Sequence, residues 1–465
     1  MIRSLFPDKI YSAHKVLFII LLLFFPEITV SQIIQEVEDI VVVGSRINNS
    51  KLTKILPLTI INSKEIELLG IDSGDDLISS LVEQGTNKFN DAGNAIAGVN
   101  SARGDIGAFN LRNLGTGNTL VLLNGRRLIN SPSFQSESVG GSFVPVNSVN
   151  TNILPVSGIE RIEVLRDGSS AIYGADAVAG VINVITKDNI DGLGIKVKMT
   201  EFENFNRSDS QINFEYGSSF NSGKTKISFL YNHYERDPIK AKEDERMGIS
   251  DWRNFSEISG TEWETTRFRR SSINSPYGQF DFVESVKDYK FYNVRGITDK
   301  SGEFEIFPDN DPKCLVDLDN SACIASDTST KRYNLNSERW VVSDLTRDNF
   351  QFNMIHDFKN GNQGFTEFSY YYSETNQNNS PSAAFSSSKL IVPASNYWNP
   401  FGSKELPNGN INPNRLSDDI LIGVPEEGLP IIMDNYRFID IGPRKVNVEK
   451  DTYRFLQGFR GSWDS

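Results

Sequence analysis

The chain has 465 residues, with 47 Lys and Arg against 60 Asp and Glu, which gives a formal net charge of −13. This length exceeds that of one ordinary domain, so two or more domains are expected. The acidic balance argues against a nucleic-acid binder, which needs a basic surface, and the 30 Phe and 35 Gly favour many strands and turns over a helical bundle.

The N-terminal segment has the pattern of a secretory signal peptide. Lys9 and Lys15 precede the apolar run VLFIILLLFF at 16–25, which is too short to span a bilayer as a helix. Small residues follow this run, and we predict cleavage after Ser31, which makes 1–31 a signal peptide. No later run of the sequence is long and apolar enough for a transmembrane helix, so any membrane-spanning part is expected to consist of β-strands.

A short apolar run on a polar tether, residues 32–47, follows the predicted cleavage site. The run is typical of an isolated strand, and it consists of Glu38, Asp39, Ile40, Val41, Val42 and Val43, followed by Gly44. Its four β-branched residues favour an extended chain. The polar flanks provide no packed neighbour, so we expect this strand to be detachable.

Residues 48–190 are predicted to form an α+β domain of about 140 residues. TLVLLNGRRL at 119–128 predicts a strand, a turn and a second short strand, and IERIEVLRDG at 159–168 predicts a strand that ends in an Asp-Gly turn. The small residues of 169–180 have a loose helical pattern, and VINVITK at 181–187 is typical of a strand rich in β-branched residues.

Five glycines of this domain are expected at tight turns or at positive φ, where a side chain is unfavourable. They are Gly115, Gly117, Gly125, Gly168 and Gly174. The Gly-Thr-Gly at 115–117 is not a dinucleotide-binding fingerprint, because the third glycine is missing and the flanking elements differ. We therefore expect these glycines to be structural.

After residue 190 the apolar residues recur with a period of two, which predicts β-strands with one apolar and one polar face. Six such strands are expected, from the segments GIKVKMT, QINFEY, KISFLYNH, NFQFNMIHDF, EFSYYYS and YRFLQGFRGSW. Short connections alternate with two long polar segments, at about 237–343 and 376–443. A soluble sandwich also alternates in hydrophobicity, but alternating short and long connections favour an outer-membrane barrel with large outer loops.

The long polar segments contain two cysteines and several aromatic residues. Cys314 and Cys323 lie in one stretch, and an exported chain reaches an oxidising compartment, so we expect them to form a disulfide. A zinc site would need two further ligands nearby, and none is apparent in the sequence. Tyr397, Trp398 and Phe401 are candidates for stacking on a ligand ring, and they equally suit packing at the base of a loop.

Two segments carry a resemblance to a known family. LRNLGTGNTLVLLNGRRL at 111–128 and IERIEVLRDGSSAIYGADAVAGVINVITK at 159–187 resemble the plug of the TonB-dependent outer-membrane receptors. The resemblance implies an α+β plug domain at 48–190, followed at 191–465 by antiparallel transmembrane β-barrel strands. About six of roughly 22 expected strands are present, and the last one lacks the terminal aromatic residue of the family, so we expect a fragment of a longer transporter.

The resemblance also implies roles for particular residues. Glu38–Val43 resemble a TonB box, which is released into the periplasm and adds as a strand to the C-terminal domain of TonB, part of the inner-membrane energy-coupling complex. Arg112 and Arg166 match plug arginines that pair with glutamates of the barrel wall, a task that suits the forked guanidinium. Their partner glutamates are expected on later strands.

The implied function is TonB-dependent uptake of a scarce nutrient, such as siderophore-iron, an oligosaccharide or cobalamin. A monomeric barrel surrounded by lipid is expected in the outer membrane of a Gram-negative cell, with the plug facing the periplasm and a small-molecule substrate binding from outside. We expect no cofactor, no resident metal and no nucleic-acid partner. No G-x-S-x-G, H-E-x-x-H or P-loop motif occurs, so an enzyme is not expected. Two alternatives stay open: a barrel used mainly as an adhesion or interaction surface, and a secreted β-rich enzyme.

Overall fold

A computed structural model describes most of the chain after residue 56. The described residues are 57–71, 73–85, 104–131, 135–139, 142–154, 156–167, 169–187, 190–253, 268–283, 304–318, 321–326, 331–358, 361–383, 389–421 and 423–461. The predicted signal peptide and the strand predicted at 38–43 lie outside them.

The first part of the chain, called here the N-terminal domain (57–187), is built on a five-stranded sheet. Its strands and one separate hairpin are β1 (Leu58–Asn62), β2 (Thr119–Leu123), β3 (Arg126–Arg127), β4 (Gln135–Val139), β5 (Ser142–Val146), β6 (Ile159–Leu165) and β7 (Gly180–Thr186). The sheet order is β1-β6-β7-β2-β3, β2 and β7 run parallel, and β4 pairs only with β5 among the described residues. The central strands β2, β6 and β7 are mostly buried, which agrees with their content of Val, Ile and Leu.

Short helices cover this sheet, and the first two begin at side-chain caps. They are α1 (Ser63–Leu68), α2 (Gly74–Ser80) and α3 (Ser170–Tyr173). Asn62 and Ser73 each accept a hydrogen bond from the backbone three residues later, and the acidic residue at that place accepts one in return. These capping boxes satisfy amide groups that a helix start otherwise leaves unbonded. None of the helices in the described part of the chain has the length and apolar content that a membrane crossing needs.

The described residues after 187 contain fourteen further strands. They are β8 (Gly192–Glu201), β9 (Ser208–Phe220), β10 (Thr225–Arg236), β11 (Ile239–Lys240), β12 (Gln279–Phe282), β13 (Phe304–Pro308), β14 (Val316–Asp317), β15 (Ala322–Ser326), β16 (Trp340–Val342), β17 (Leu345–Asp357), β18 (Gln363–Asn379), β19 (Leu390–Val392), β20 (Ile431–Met433) and β21 (Arg444–Arg460). Six of them form an antiparallel sheet in the order β21-β18-β17-β10-β9-β8, called here the wall sheet. The six predicted barrel strands are thereby confirmed.

The two faces of the wall sheet differ as the period of two predicts. Aromatic and aliphatic side chains lie on the outer face, where Ile195, Met199 and Phe455 are 58%, 67% and 67% exposed. The opposite face is polar and buried, and it includes Asn232 and Gln351. Asn349 on this face donates to the Asn152 carbonyl of the N-terminal domain at 3.3 Å, whereas the apolar face suits lipid.

The two long segments predicted as polar loops form a second six-stranded sheet, called here the loop sheet, in the order β14-β15-β13-β12-β20-β19. Strand β12 of the first segment pairs with β20 of the second, so the two segments form one unit. Its core includes Phe282, Phe304 and Phe401, all at most 1% exposed. Each of these strands has two to five residues, too few to show a period, which is why the sequence pattern did not predict the sheet.

The two cysteines lie at one edge of the loop sheet. Cys314 and Cys323 form a disulfide between residues nine apart in sequence. Cys323 is buried and packs with Phe307 and Ala325, while Cys314 is partly buried beside them. The disulfide therefore closes the β14–β15 hairpin onto β13.

Candidate functional site

The N-terminal domain is fastened to the wall sheet by a buried carboxylate, Asp105. Arg347 of β17 donates two hydrogen bonds to it, from Nε to Oδ2 at 2.7 Å and from Nη2 to Oδ1 at 2.8 Å. The hydroxyl of Tyr371 on β18 donates a third, also 2.7 Å long, to Oδ2. The Arg347 and Asp105 side chains are 3% and 4% exposed, so this is a forked ion pair removed from water.

Further bonds complete the surroundings of Asp105. Asn152 of the N-terminal domain donates to Oδ1 at 2.7 Å, and the ammonium of Lys450 on β21 donates to the backbone carbonyl at 3.3 Å. One residue thus contacts three neighbouring wall strands. Burial raises the pKa of Asp105, but the charge of Arg347 and the hydrogen bonds from Arg347 and Tyr371 outweigh it, and the pKa lies below its ordinary value of 3.8.

This depressed pKa predicts how the attachment depends on pH. A carboxyl whose folded-state pKa is lowered adds stability that is complete above its unfolded pKa, near 3.9, and that is lost as the pH falls through the folded value. We expect attachment of the N-terminal domain to be constant between about pH 7 and pH 5 and to weaken below about pH 4. Urea titration, followed by a fluorophore on a cysteine introduced at the exposed Val82, measures it. Weakening already at about pH 6 would contradict the assignment to Asp105.

A second ion-pair group links the two parts of the chain at Glu367 of β18. Arg126 of the N-terminal domain donates to Oε1 and Arg454 of β21 donates to Oε2, each at 2.7 Å. The Glu367 side chain is 10% exposed, and those of Arg126 and Arg454 are 32% and 14% exposed. The Arg126 guanidinium also lies 4.2 Å from the ring centre of Phe365. One carboxylate is therefore the shared counter-charge of two guanidinium groups, one from each side of the interface.

The backbone of the N-terminal domain also approaches strand β10 closely, at Gly158. A Cβ built on Gly158 would lie 2.2 Å from Cδ1 of Leu230, the buried apolar residue on the inner face of β10. A pair about one-third exposed, Lys187 and Glu215 at 3.2 Å, also joins the N-terminal domain to β9. The N-terminal domain thus lies against the inner face of the wall sheet. The strands that it contacts are β9, β10, β17, β18 and β21.

Comparison with known proteins identifies the family in which this arrangement of domain and sheet occurs. The family model described as the TonB-dependent Receptor Plug Domain matches residues 57–181, which include β1, β2, β3 and β6 of the five-stranded sheet and the first two residues of β7. The chain belongs to the TonB-dependent receptors. The N-terminal domain is therefore the plug, the wall sheet is part of the outer-membrane β-barrel, and the expected outer-membrane location is confirmed.

This chain spans less than half the length of each of the following relatives. The chain is 28% identical over 156 residues to the vitamin B12 transporter BtuB of Vibrio vulnificus strain YJ016, covering 34% of this chain and 22% of that protein. It is 34% identical over 101 residues to an iron-regulated outer membrane virulence protein of Vibrio cholerae, covering 21% and 14%. The siderophore receptor PirA from Acinetobacter baumannii is a solved structure with 14% identity and a TM-score of 0.35, covering 87% of this chain and 45% of that one.

The two arginines predicted to lock the plug to the barrel make contacts within the plug. The Arg112 guanidinium donates to the backbone carbonyls of Val178 and Ala179 at 3.3 and 2.9 Å. Nε of Arg166 donates to the Pro57 carbonyl at 3.3 Å, and its Nη1 lies 3.7 Å from a carboxylate oxygen of Glu83. Both side chains thus stabilise the plug itself, and a lock between them and later barrel strands stays a prediction.

The predicted glycines lie in the plug turns. Positive φ values occur at Gly115 (104°), Gly125 (76°) and Gly174 (85°). A Cβ on Gly117 would lie 2.7 Å from a valine methyl carbon of β5, so this glycine permits a close approach instead. Gly168 lies outside the described residues.

The three aromatic residues considered for ligand stacking have different surroundings. Phe401 is fully buried and makes an edge-on contact with Phe282, with 5.0 Å between ring centres. It therefore belongs to the core of the loop sheet. Tyr397 and Trp398 are 44% and 67% exposed and contact each other edge-on, so these two stay available to a ligand.

The main plug–barrel contacts were missed by the sequence predictions, although a partial signal exists. Glu367, Arg347 and Arg454 lie on the polar face of predicted or extended barrel strands, and charged residues on that face must find a partner in the lumen. Asp105 and Arg126 lie in a loop and a short strand of the plug, where no periodic pattern marks them. The sequence indicated which wall residues face inward but not what they contact.

Proposed function

We propose that this chain is the plug and first barrel strands of a receptor for energy-coupled uptake of a scarce small nutrient across the outer membrane. Its parts are a signal peptide (1–31), a periplasmic tether with the TonB box (32–47), the plug (48–190) and barrel strands with outer loops (191–465). The observation that carries the proposal is the seating of the plug on the inner face of the wall sheet through Asp105 and Glu367.

The contacts that hold the plug in the barrel explain why moving the plug would require energy. The plug has buried or half-buried ion pairs at Asp105 and Glu367, and their charge-assisted hydrogen bonds must break before the plug can move. A plug held in this way blocks the lumen at rest and yields only when work is done on it. Coupling to an inner-membrane energy source supplies such work, which favours a driven transporter over a passive pore.

The partner for this coupling is the C-terminal domain of TonB, bound by Glu38–Val43. Strand addition draws its affinity from backbone hydrogen bonds, so the segment needs extended residues more than particular side chains. Ile40–Val43 are all β-branched, which favours that conformation.

The wall sheet has two edges in the described structure, β8 and β21. Exposed sheet edges are unfavourable in lipid because their backbone groups lack hydrogen-bond partners. We propose that further strands close this sheet into the complete barrel. The short spans of the relatives that the chain matches, 22% and 14%, support this view.

The substrate class is supported by the same relatives. One of them is a vitamin B12 transporter and another is an iron-regulated outer membrane protein, so a corrinoid or an iron chelate is the class we favour. Oligosaccharides are a less supported choice. An adhesion role for the barrel is the alternative that the following experiment tests.

We expect a peptide covering residues 32–48 to bind the purified TonB C-terminal domain in calorimetry, and Val42→Pro to weaken binding at least about tenfold. Proline removes a backbone donor from the added strand, whereas the control Val42→Ile keeps the donor and the β-branched shape. Equal binding by both variants, or no binding by the native peptide, would contradict energy coupling and favour the adhesion role.

A further inference from the structure

A buried carboxylate, Glu163, lies within the plug sheet, apart from the ion pairs that join the plug to the wall sheet. Its side chain on β6 is fully buried, at 0% exposed. Nε of Arg161 donates to its Oε1 at 2.9 Å, and Nδ2 of Asn183 on β7 donates to its Oε2 at 3.1 Å. A buried carboxylate without donors is strongly unfavourable, so these bonds determine where the Arg161 and Asn183 side chains lie.

The Glu163 carboxylate also determines which way the side-chain amide of Asn183 points. A carboxylate only accepts hydrogen bonds, so it selects the NH2 group of Asn183 and turns the side-chain carbonyl in the opposite direction. That carbonyl accepts the backbone amide of Gly125, with 2.9 Å between N and Oδ1. Because Asn183 is only 2% exposed, water does not compete for this bond.

Asn124 and Gly125 form the turn between β2 and β3. Both have a positive φ, 51° and 76°, which a two-residue hairpin turn of this kind requires. Asn183 and Thr186 of β7 are three residues apart, so their side chains point to opposite faces of the sheet. Asn183 accepts the Gly125 amide on one face, and Thr186 exchanges two hydrogen bonds with Asn124 on the other, each 3.0 Å long. The turn is therefore fixed relative to β7.

Arg126 directly follows this turn and contacts the wall sheet. Its guanidinium donates to the Glu367 carboxylate at 2.7 Å. The reach of a long side chain depends on where its backbone lies, and the backbone amide just before Arg126 is the one that Asn183 holds. Bonded groups thus connect Glu163, through Asn183 and Gly125, with the plug–wall ion pair.

The other end of this connection lies beside β1, the first described strand after the tether. β1 is at the edge of the plug sheet, and among the described strands it pairs with β6. Ile60 of β1 lies directly across from Glu163, and side chains at such positions share one face, with Cβ atoms about 5 Å apart. A force applied through the tether acts on β1 first, and removal of β1 would expose Glu163 to water.

We propose that Glu163 is a positioning residue that links β1 to the plug–wall ion pair of Arg126 and Glu367. While β1 covers it, Glu163 orients Asn183 and thereby holds the turn that directs Arg126 toward the wall. When β1 is drawn away, water competes for the carboxylate, the turn loosens and Arg126 releases Glu367. The proposal rests on the uptake function proposed above, and it adds the route by which a pull on the tether weakens the contact between plug and barrel.

Hydrogen exchange of the intact receptor in detergent, followed by mass spectrometry of the peptide that contains the turn, tests the first step. We expect Glu163→Gln to speed exchange of the Gly125 amide about tenfold, because glutamine no longer selects the NH2 group of Asn183 and the buried hydrogen bond to Gly125 is lost. Glu160→Gln is the matched control. Glu160 lies on the same strand and 3.5 Å from the same Arg161, but its side chain is 47% exposed, so exchange is expected to stay unchanged.

A double variant separates positioning from a general loss of stability. Glu163→Gln combined with Asn183→Asp exchanges the roles of the two side chains, because the glutamine donates and the aspartate accepts. The aspartate can still accept the Gly125 amide, so we expect slow exchange to be restored.

A further variant uncovers Glu163 without changing it. Ile60→Ala removes the side chain that lies across from Glu163, and we expect faster exchange of the Gly125 amide. Thr59→Ala is the control, because Thr59 lies across from Val164 and its side chain points to the other face of the sheet. Ile60→Ala keeps every group from Glu163 to the wall, so it tests the link even where Glu163→Gln does not fold.

Urea titration with a fluorophore on Val82→Cys tests whether the effect reaches the wall. Arg126→Gln removes the plug–wall ion pair. We expect Glu163→Gln to lower the midpoint more in the native chain than in the Arg126→Gln chain, because the part transmitted to Glu367 is already lost there. Equal shifts in the two chains would show that Glu163 stabilises the plug alone.

Two other results would also overturn the proposal: unchanged exchange of the Gly125 amide in Glu163→Gln, or equal exchange in Ile60→Ala and Thr59→Ala. These measurements need neither TonB nor a substrate, so they are separate from the peptide experiment. Peptide binding together with equal midpoint shifts would refute this link alone. The expected exchange and midpoint results without peptide binding would refute energy coupling alone.

Discussion

Replacing Asp105 with asparagine is expected to lower the free energy that seats the plug in the barrel by about 3–5 kcal/mol, because it leaves the Arg347 guanidinium buried without a counter-charge. Both side chains are almost fully buried, and the carboxylate accepts two bonds from Arg347 and one from Tyr371. Urea titration of the intact receptor, with a fluorophore on Val82→Cys, measures the change.

A matched substitution within the same domain serves as the control. Asp176 also pairs with an arginine, Arg127, but the two side chains are 58% and 47% exposed. Exposed pairs contribute about 0–1 kcal/mol, so Asp176→Asn is expected to change the midpoint little. Equal effects of the two substitutions would show that Asp105 does not fasten the plug. Asp105→Asn is also expected to remove the loss of stability below about pH 4.

Replacing Glu367 with glutamine is expected to cost about 2–3 kcal/mol, because two guanidinium groups then lose their shared counter-charge. This effect is smaller than that at Asp105, because Arg126 is 32% exposed and water partly solvates it. The same urea titration measures it. We expect the substitution to act on the plug midpoint and to leave the outer-loop disulfide unit unaffected.

Glu215→Gln is the control for this second pair. Glu215 also joins the plug to the wall sheet, through Lys187, but both side chains are about one-third exposed, so a loss below about 1 kcal/mol is expected. A loss at Glu215 as large as at Glu367 would mean that burial of the ion pair does not determine how strongly the plug is held in the barrel. The Asp105→Asn and Glu367→Gln effects are expected to be approximately additive if the two pairs act independently.

Much of the secondary structure was predictable from local pattern. The strands at 119–123, 159–165 and 180–186 carry runs of Val, Ile and Leu, and the six wall strands show an apolar period of two. Strand periodicity is a property of neighbouring residues, so one chain without its partners already displays it. For the same reason the inward direction of Arg454 and Glu367 could be predicted, since Arg454 lies between the outward-facing Tyr453 and Phe455, and Glu367 directly precedes the outward-facing Phe368.

The loop sheet was not predictable in this way. Its strands have two to five residues each, and β12 finds its partner β20 across a large part of the sequence. A strand of four residues, such as QFDF at 279–282, shows no reliable period and looks like part of a polar loop. Only the pairing of the two long segments buries Phe282, Phe304 and Phe401 together.

By itself the sequence indicated that this protein is exported. It also indicated that an α+β domain with glycines in its turns precedes amphipathic strands, and that one face of those strands suits lipid. The tertiary structure decided which charges meet. Asp105 and Arg347 are 242 residues apart, and Arg126 and Glu367 are 241 residues apart. A hydrophobic pattern is local and repeats along a strand. An ion pair is a single contact, and which two residues form it depends on how the whole chain folds.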